Sequence, residues 1–154
     1  MKYIEGIKII SSLLFCVFIS AQDIKIDNIK NSIQTGPLVN NRDVGFGLKN
    51  ILEELVQDLD YNLNDKAIDA LTVELLYFDV KRTQSNIALY SKSSSQTEII
   101  ALAKYKKKKV KVKGTAKDIF KSLILLNEQG QFTQNSVSVA LKKLSKNIIK
   151  KLKL

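Results

Sequence analysis

The period of the apolar residues changes twice along this 154-residue chain, and that change limits the folds open to it. Between Asp43 and Leu59, the residues Val44, Leu48, Ile51, Leu52, Leu55, Val56 and Leu59 recur at helical spacing, with Lys49, Glu53, Glu54 and Asp58 on the other side. Near the end, Val137, Leu141, Leu144, Ile148 and Leu152, joined by Ala140, form a second stripe backed by Lys142, Lys143, Lys146, Lys150, Lys151 and Lys153. A helix returns to the same face every 3.6 residues and a strand every two, so these stretches predict amphipathic helices and the segment between them predicts strands. The first helix should run about 15–18 residues, opened by Asn41 or Asp43, and Thr133 can open the second. Gly45 and Gly47 are costly in a helix and suggest close backbone packing there.

The strands read as follows. Asp23 to Lys30 alternates, with Ile24 and Ile26 on one face, and Gln34 to Asn41 is a loop holding Gly36-Pro37. Ile68 to Val80 is densely apolar without clear alternation, as expected of a strand buried on both faces or largely covered. Arg82 to Ser95 is rich in Ser, Gln and Asn and reads as a connector with a short strand around Ile87 to Tyr90. Thr97 to Tyr105 and Val110 to Lys113 alternate and predict a hairpin turning at Lys106 to Lys108. Ile119 to Leu126 supplies one more strand. The expected architecture is α+β, in the order β-α-β-β-β-β-α: a mostly antiparallel sheet of about four to five strands with both amphipathic helices on one face.

Residues 1–21 read as a secretory signal peptide: Lys2 and Lys8 precede an apolar run from Ile9 to Ile19, and Ser20-Ala21-Gln22 closes it. That run is too short for the roughly 20 apolar residues a spanning helix needs, and small Ala21 suits cleavage before Gln22. The alternatives are retention as an N-terminal anchor, favoured by bulky Ile19 and acidic Glu5, or lipidation at Cys16, disfavoured by large Phe15 before it. Cleavage leaves residues 22–154 as a single domain without cysteine, so neither a disulfide nor a thiolate ligand is open to it. The expected location is periplasmic or secreted, envelope-associated at most, with no spanning segment after cleavage.

The chain contains no histidine, which removes the commonest general base and zinc ligand. Other chemistries fit poorly. Asp58 to Asp69 spaces oxygen-bearing residues like a calcium loop, but Leu63 stands where the turn needs glycine and Asp69 is shorter than the required glutamate. Ser91-Lys92-Ser93-Ser94-Ser95 holds serine near lysine in what reads as an exposed loop, where the lysine stays solvated and protonated. The pairs Glu53-Glu54 and Asp58-Asp60 fall on the solvent side of the first helix and at its end. No catalytic residue and no cofactor is expected.

Charge is divided unequally. Residues 22–103 hold 8 Lys/Arg against 12 Asp/Glu, net −4, and residues 104–154 hold 15 Lys against Asp118 and Glu128, net +13. The densest run, Lys106, Lys107, Lys108, Lys109, Lys111 and Lys113, is the candidate polyanion-binding site, set against a solvated hairpin face that also discourages strand pairing. With lysine at 23 and arginine at 2, bidentate phosphate reading is weak, and no motif interleaves aromatics for nucleic acid. An anionic envelope component, such as lipopolysaccharide, phospholipid head groups or acidic glycans, is the expected charged partner; an unidentified envelope protein is the other.

Four stretches together carry a resemblance: Val44 to Leu52 opening the first helix, Leu71 to Val80 as a strand, Thr97 to Ala103 as another, and Gly130 to Thr133 leading to Val137 to Leu141. Over about residues 43–152 the chain resembles the YajG-like family of bacterial envelope lipoproteins. The resemblance implies a small exported α+β domain with an accessory role and no catalytic residues to carry over. The chain departs from that family in lacking a convincing lipidation box, which favours a soluble periplasmic form.

Overall fold

A computed structural model describes residues 22–33, 44–87, 90–123 and 135–154. The leader, the loop from Gln34, the caps at Asn41, Asp43 and Thr133, and the stretch Ile124 to Leu126 lie outside the described residues. The elements are β1 (Asp23–Ile26), β2 (Lys30–Asn31), α1 (Val44–Gln57), β3 (Asn62–Leu63), β4 (Ala70–Ile87), β5 (Tyr90–Tyr105), β6 (Lys108–Leu123) and α2 (Asn135–Leu152). The fold is α+β, with the two helices on one face of a sheet ordered β3-β1-β4-β5-β6, and β2 continuing beside β4.

The sheet is mixed. β4, β5 and β6 form a long antiparallel meander, whereas β1 and β2 run parallel to β4 along its other edge, and β3 parallel to β1. The parallel edge follows from α1, which carries the chain back between β1 and β3 as a crossover does.

Three strand expectations are corrected. The run from Ile68 is not buried on both faces: Leu71, Val73 and Leu75 point into the core while Thr72 faces solvent. A bulge between Leu75 and Tyr77 inserts one residue and reverses the parity, so that Phe78 rejoins the core face. That parity change hides the alternation in the sequence. The expected connector Arg82 to Ser95 is strand throughout, because β4 and β5 continue as paired partners through Arg82↔Ser95, Thr83↔Ser94 and Gln84↔Ser93. Here β4 extends past the cover of the helices, so Lys81 to Asn86 are exposed on both faces and show no apolar period. The expected separate strands at Val110 and Ile119 are one strand, β6, which the glycine between them does not break.

That glycine, Gly114, has an ordinary strand φ and is required for space. A Cβ there would meet Leu144 Cβ at 2.7 Å and Leu144 N at 3.0 Å, besides the Ala140 carbonyl oxygen. α2 therefore lies almost in backbone contact with β6, and its stripe Ala140, Leu141, Leu144, Ile148 and Leu152 is buried against Ala101, Ala103, Val112 and Ala116 and the other core residues. The small alanines are what let a helix approach so closely. α1 packs on α2 and on β1 and β3, burying Leu48, Leu52 and Val56, with Leu59 left exposed beyond its end. The close-packing glycine is thus Gly114; Gly47 would place a Cβ at an ordinary 3.6 Å from Leu141.

α1 ends in a Schellman motif. Asp60 takes φ 61°, its N–H bonds Gln57 O at 3.0 Å, and Tyr61 N–H bonds Val56 O at 3.2 Å. The chain then enters β3, where Asn62 and Asn64 donate their amides to the two oxygens of Asp23 at 2.9 and 2.7 Å and so tie β3 to β1. These two bonds hold the Asp23 carboxyl below its usual range.

Candidate functional site

Because both helices cover one side of the meander, its other side is an open sheet surface, and the register decides what stands on it. Reading across β4, β5 and β6, its rows are Thr72-Lys104-Lys109, Glu74-Leu102-Lys111, Tyr77-Ile100-Lys113, Asp79-Glu98-Thr115, Lys81-Gln96-Lys117, Thr83-Ser94-Ile119 and Ser85-Lys92-Lys121. The β6 column therefore presents Lys109, Lys111, Lys113, Lys117 and Lys121 on a single face, with Lys104 and Lys92 beside its two ends.

The six lysines singled out in the sequence are divided by this geometry. Lys109, Lys111 and Lys113 stand together on the open face. Lys106 and Lys107 form the two-residue turn between Tyr105 and Lys108. Lys106 has φ 51°, an unusual value for a residue with a Cβ, and it is held there by an ion pair with Asp69 at 3.0 Å and by the Tyr105 ring at 5.2 Å. Its bond to Asp69 raises its pKa, while burial raises that of the Tyr105 phenol. Lys108 reaches the other way and donates Nζ to Leu152 O at 2.9 Å, capping a carbonyl at the end of α2. Lys117, Lys121, Lys104 and Lys92 were missed, because the pairing register that aligns them with the lysine run is not local information.

The acids on this face are largely engaged. Glu98 pairs with Lys113 at 2.9 Å. Glu74 accepts Ser32 Oγ at 2.6 Å and lies 3.6 Å from Lys30, contacts that lower its pKa with the serine bond foremost. Asp79 accepts the Tyr77 hydroxyl at 3.2 Å, and desolvation together with this carboxylate raises the Tyr77 pKa. Among the described residues, Lys111, Lys117 and Lys121 make no ion pair.

The remaining sequence candidates are dispersed. Lys92 and Ser94 face outward on the open sheet surface with the lysine exposed to solvent, while Ser93 and Ser95 are buried on the helix side of β5. Ser95 and Thr97 instead meet Ser136 in a buried hydroxyl trio at the start of α2, with both distances 2.9 Å. The oxygen-rich stretch from Asp58 is spread over the helix end, the β3–β1 tie and the Asp69–Lys106 pair. Glu53 lies beside Lys49 at 3.8 Å. Among the described residues no three carboxylate, thiol or imidazole groups gather as a metal site. Gln22, the expected first residue after cleavage, donates Nε2 to Asp69 at 3.2 Å and to the Tyr105 hydroxyl at 3.4 Å; Ala21 lies outside the described residues.

No protein-family model matches the sequence, and no curated protein matches it. Solved structures similar to this chain include a minor lipoprotein from Acinetobacter baumannii, with 12% identity, TM-score 0.45, and 84% of this chain and 89% of that one covered. The rare lipoprotein B from Shewanella oneidensis has 11% identity and TM-score 0.44, with 84% and 93% covered. A hypothetical protein from Chlamydia trachomatis has 6% identity and TM-score 0.47, with 86% and 96% covered. What stands on the open face has to be read from this chain itself, since so few residues are shared. No helix among the described residues is long and apolar enough to cross a membrane.

Proposed function

We propose that this protein is an exported, non-catalytic accessory of the bacterial cell envelope that meets its partner through the open face of its sheet. One observation carries the reading: both helices are spent on the same face, and the other face of the meander is an open, patterned surface of lysines around Ile100, Leu102 and Tyr77. The leader supports export to the periplasm, and the likeness of residues 43–152 to YajG-like lipoproteins supports an envelope role. The lack of histidine, and the engagement of Asp23, Asp69, Glu74, Glu98, Ser95 and Ser136 in structural contacts, supports a binding role over chemistry.

The test combines location and contact. Cell fractionation with mass spectrometry should recover a chain beginning at Gln22 from the envelope fraction. Photo-crosslinkers placed at Ser94 and Thr115 should capture a partner that a crosslinker at Lys146, on the exposed side of α2, does not. Full-length protein in the cytosol, or capture from Lys146 alone, refutes the proposal.

A second reading, in which the partner is an anionic envelope component, is favoured by the lysine column of β6 and by the shortage of unpaired acid beside it. Contacts of this kind are screened by salt. Retention on lipopolysaccharide or an acidic glycan should fall as salt rises.

A further inference from the structure

We infer that the ligand of the open face is an extended linear polyanion lying along β6, held by Lys109, Lys111, Lys113, Lys117 and Lys121; this rests on the second reading above. Three observations lead there. Strand residues two apart are about 6.7 Å apart, within the Debye length of about 8 Å at physiological salt, so the potentials of Lys109, Lys111 and Lys113 overlap. Lys104 stands directly beside Lys109, and Lys92 beside Lys121, which thickens the column at both ends. From Lys109 to Lys121 it extends about 40 Å.

The usual structural reason for lysines on an edge strand does not account for this part of the column. Lysine on an edge repels strands that would pair with it. Along Lys111 to Lys113, however, the outer edge of β6 is already occupied by α2: Lys151 Nζ donates to Lys111 O at 3.3 Å and Asn147 Nδ2 to Lys113 O at 3.1 Å. A stretch of edge blocked by helix side chains has no need of charged guards. Among the described residues, the ion pair these lysines make is that of Lys113 with Glu98.

The shape of the column separates a chain from a plane. β-strands twist, so lysines about 40 Å apart along β6 do not address one flat surface, and a bilayer of anionic head groups could meet only part of the row at a time. A flexible polymer with repeated phosphate or carboxylate groups can follow the twist and engage all five lysines. Each further contact then forms at the high effective concentration set by the one before it.

The test uses residues 22–154 or the protein purified from its own envelope fraction. Its probes are orthophosphate, polyphosphates of graded length, polygalacturonate, and vesicles containing phosphatidylglycerol. Affinity for polyphosphate and polygalacturonate should rise at least about tenfold from the shortest chains to those spanning the column, and level off beyond that reach. The variant Lys109→Ser/Lys111→Ser/Lys117→Ser/Lys121→Ser should lose that gain. The control Lys142→Ser/Lys143→Ser/Lys146→Ser/Lys150→Ser removes the same charge from the exposed side of α2 and should keep it. Equal loss in both variants would reduce the effect to net charge and overturn the inference. So would affinity independent of chain length, or vesicles bound as tightly as the polymer. If no anion is retained while Ser94 still crosslinks to a protein, the polyanion is refuted and the open face stands as a protein-binding surface.

Discussion

Replacing Gly114 by alanine tests the close packing of α2 on β6. The added Cβ would sit 2.7 Å from Leu144 Cβ and 3.0 Å from Leu144 N, where carbon atoms normally rest about 3.5–4.0 Å apart. The obstacle is helix backbone and the root of a side chain, which no rotamer change can move, so α2 must lift by roughly 1 Å. A gap of that size forfeits a quarter to a half of each contact it opens, here along Ala140, Leu144 and Ile148. Overpacking of this kind costs about 1–3 kcal/mol, and the stiffer unfolded chain returns about 0.4–1 kcal/mol. A net loss of about 1.3 kcal/mol follows, which for a domain of this size lowers the melting temperature by about 4–6 °C. Gly47→Ala is the internal control: its Cβ makes an ordinary 3.6 Å contact with Leu141 inside α1, and helix propensity should stabilise the protein by up to about 1 kcal/mol. Thermal melts followed by circular dichroism should therefore move in opposite directions for the two variants. A Gly114→Ala protein melting at or above the parent would refute the close seating of α2 on β6.

Other expectations are as direct. Asp60→Gly relieves a left-handed residue at the end of α1 and should raise the denaturant midpoint, by about 0.5–1 kcal/mol in stability, with an unchanged m-value. Ser136→Ala leaves Ser95 and Thr97 buried without their shared partner and should cost about 1–3 kcal/mol by urea denaturation, whereas adding Ser95→Ala and Thr97→Val should recover part of that loss. Because folding lowers the Asp23 pKa, its bonds to Asn62 and Asn64 add stability above the unfolded value near 3.8, and this is lost as pH falls through the folded value. Asp23→Asn should thus be less stable than the parent at neutral pH, and the difference should shrink below about pH 4 in acid titrations followed by circular dichroism.

The helices were legible because each has one covered and one solvated side, and the stripes of Leu48, Leu52 and Val56 and of Leu141, Leu144 and Ile148 record that directly. The hairpin turn was legible for a related reason: Ala101, Ala103 and Tyr105 alternate with solvent-facing neighbours up to Lys106. Three things were not. The bulge at Leu75/Tyr77 reverses the side-chain parity and makes a one-sided strand look two-sided. The outer half of β4 lies past the helices, so Arg82 to Asn86 have no covered face to encode, and the covered β5 positions opposite them are the serines Ser93 and Ser95. The strands read separately at Val110 and at Ile119 are one, and Gly114 between them is a contact with α2. The basic site was half visible for the same reason: a run of letters shows Lys109 to Lys113, but only the pairing of β5 with β6 places Lys104 and Lys92 beside that column, and only the continuity of β6 extends it to Lys121.

The parallel seating of β1 against β4 bears on the order in which the protein can assemble. The first described strand finds its ladder partners about 40 and 45 residues later, at Asn62–Leu63 and at Ala70–Leu71, whereas the meander and its closing helix are neighbours in sequence. Short loops close faster than long ones, so the segment from β4 onward is the natural nucleus and β1 a late arrival. A chain threaded amino end first through a translocase would deliver Ile24 and Ile26 to the far side well before anything exists to shelter them. That interval is when a holding chaperone would have its opportunity.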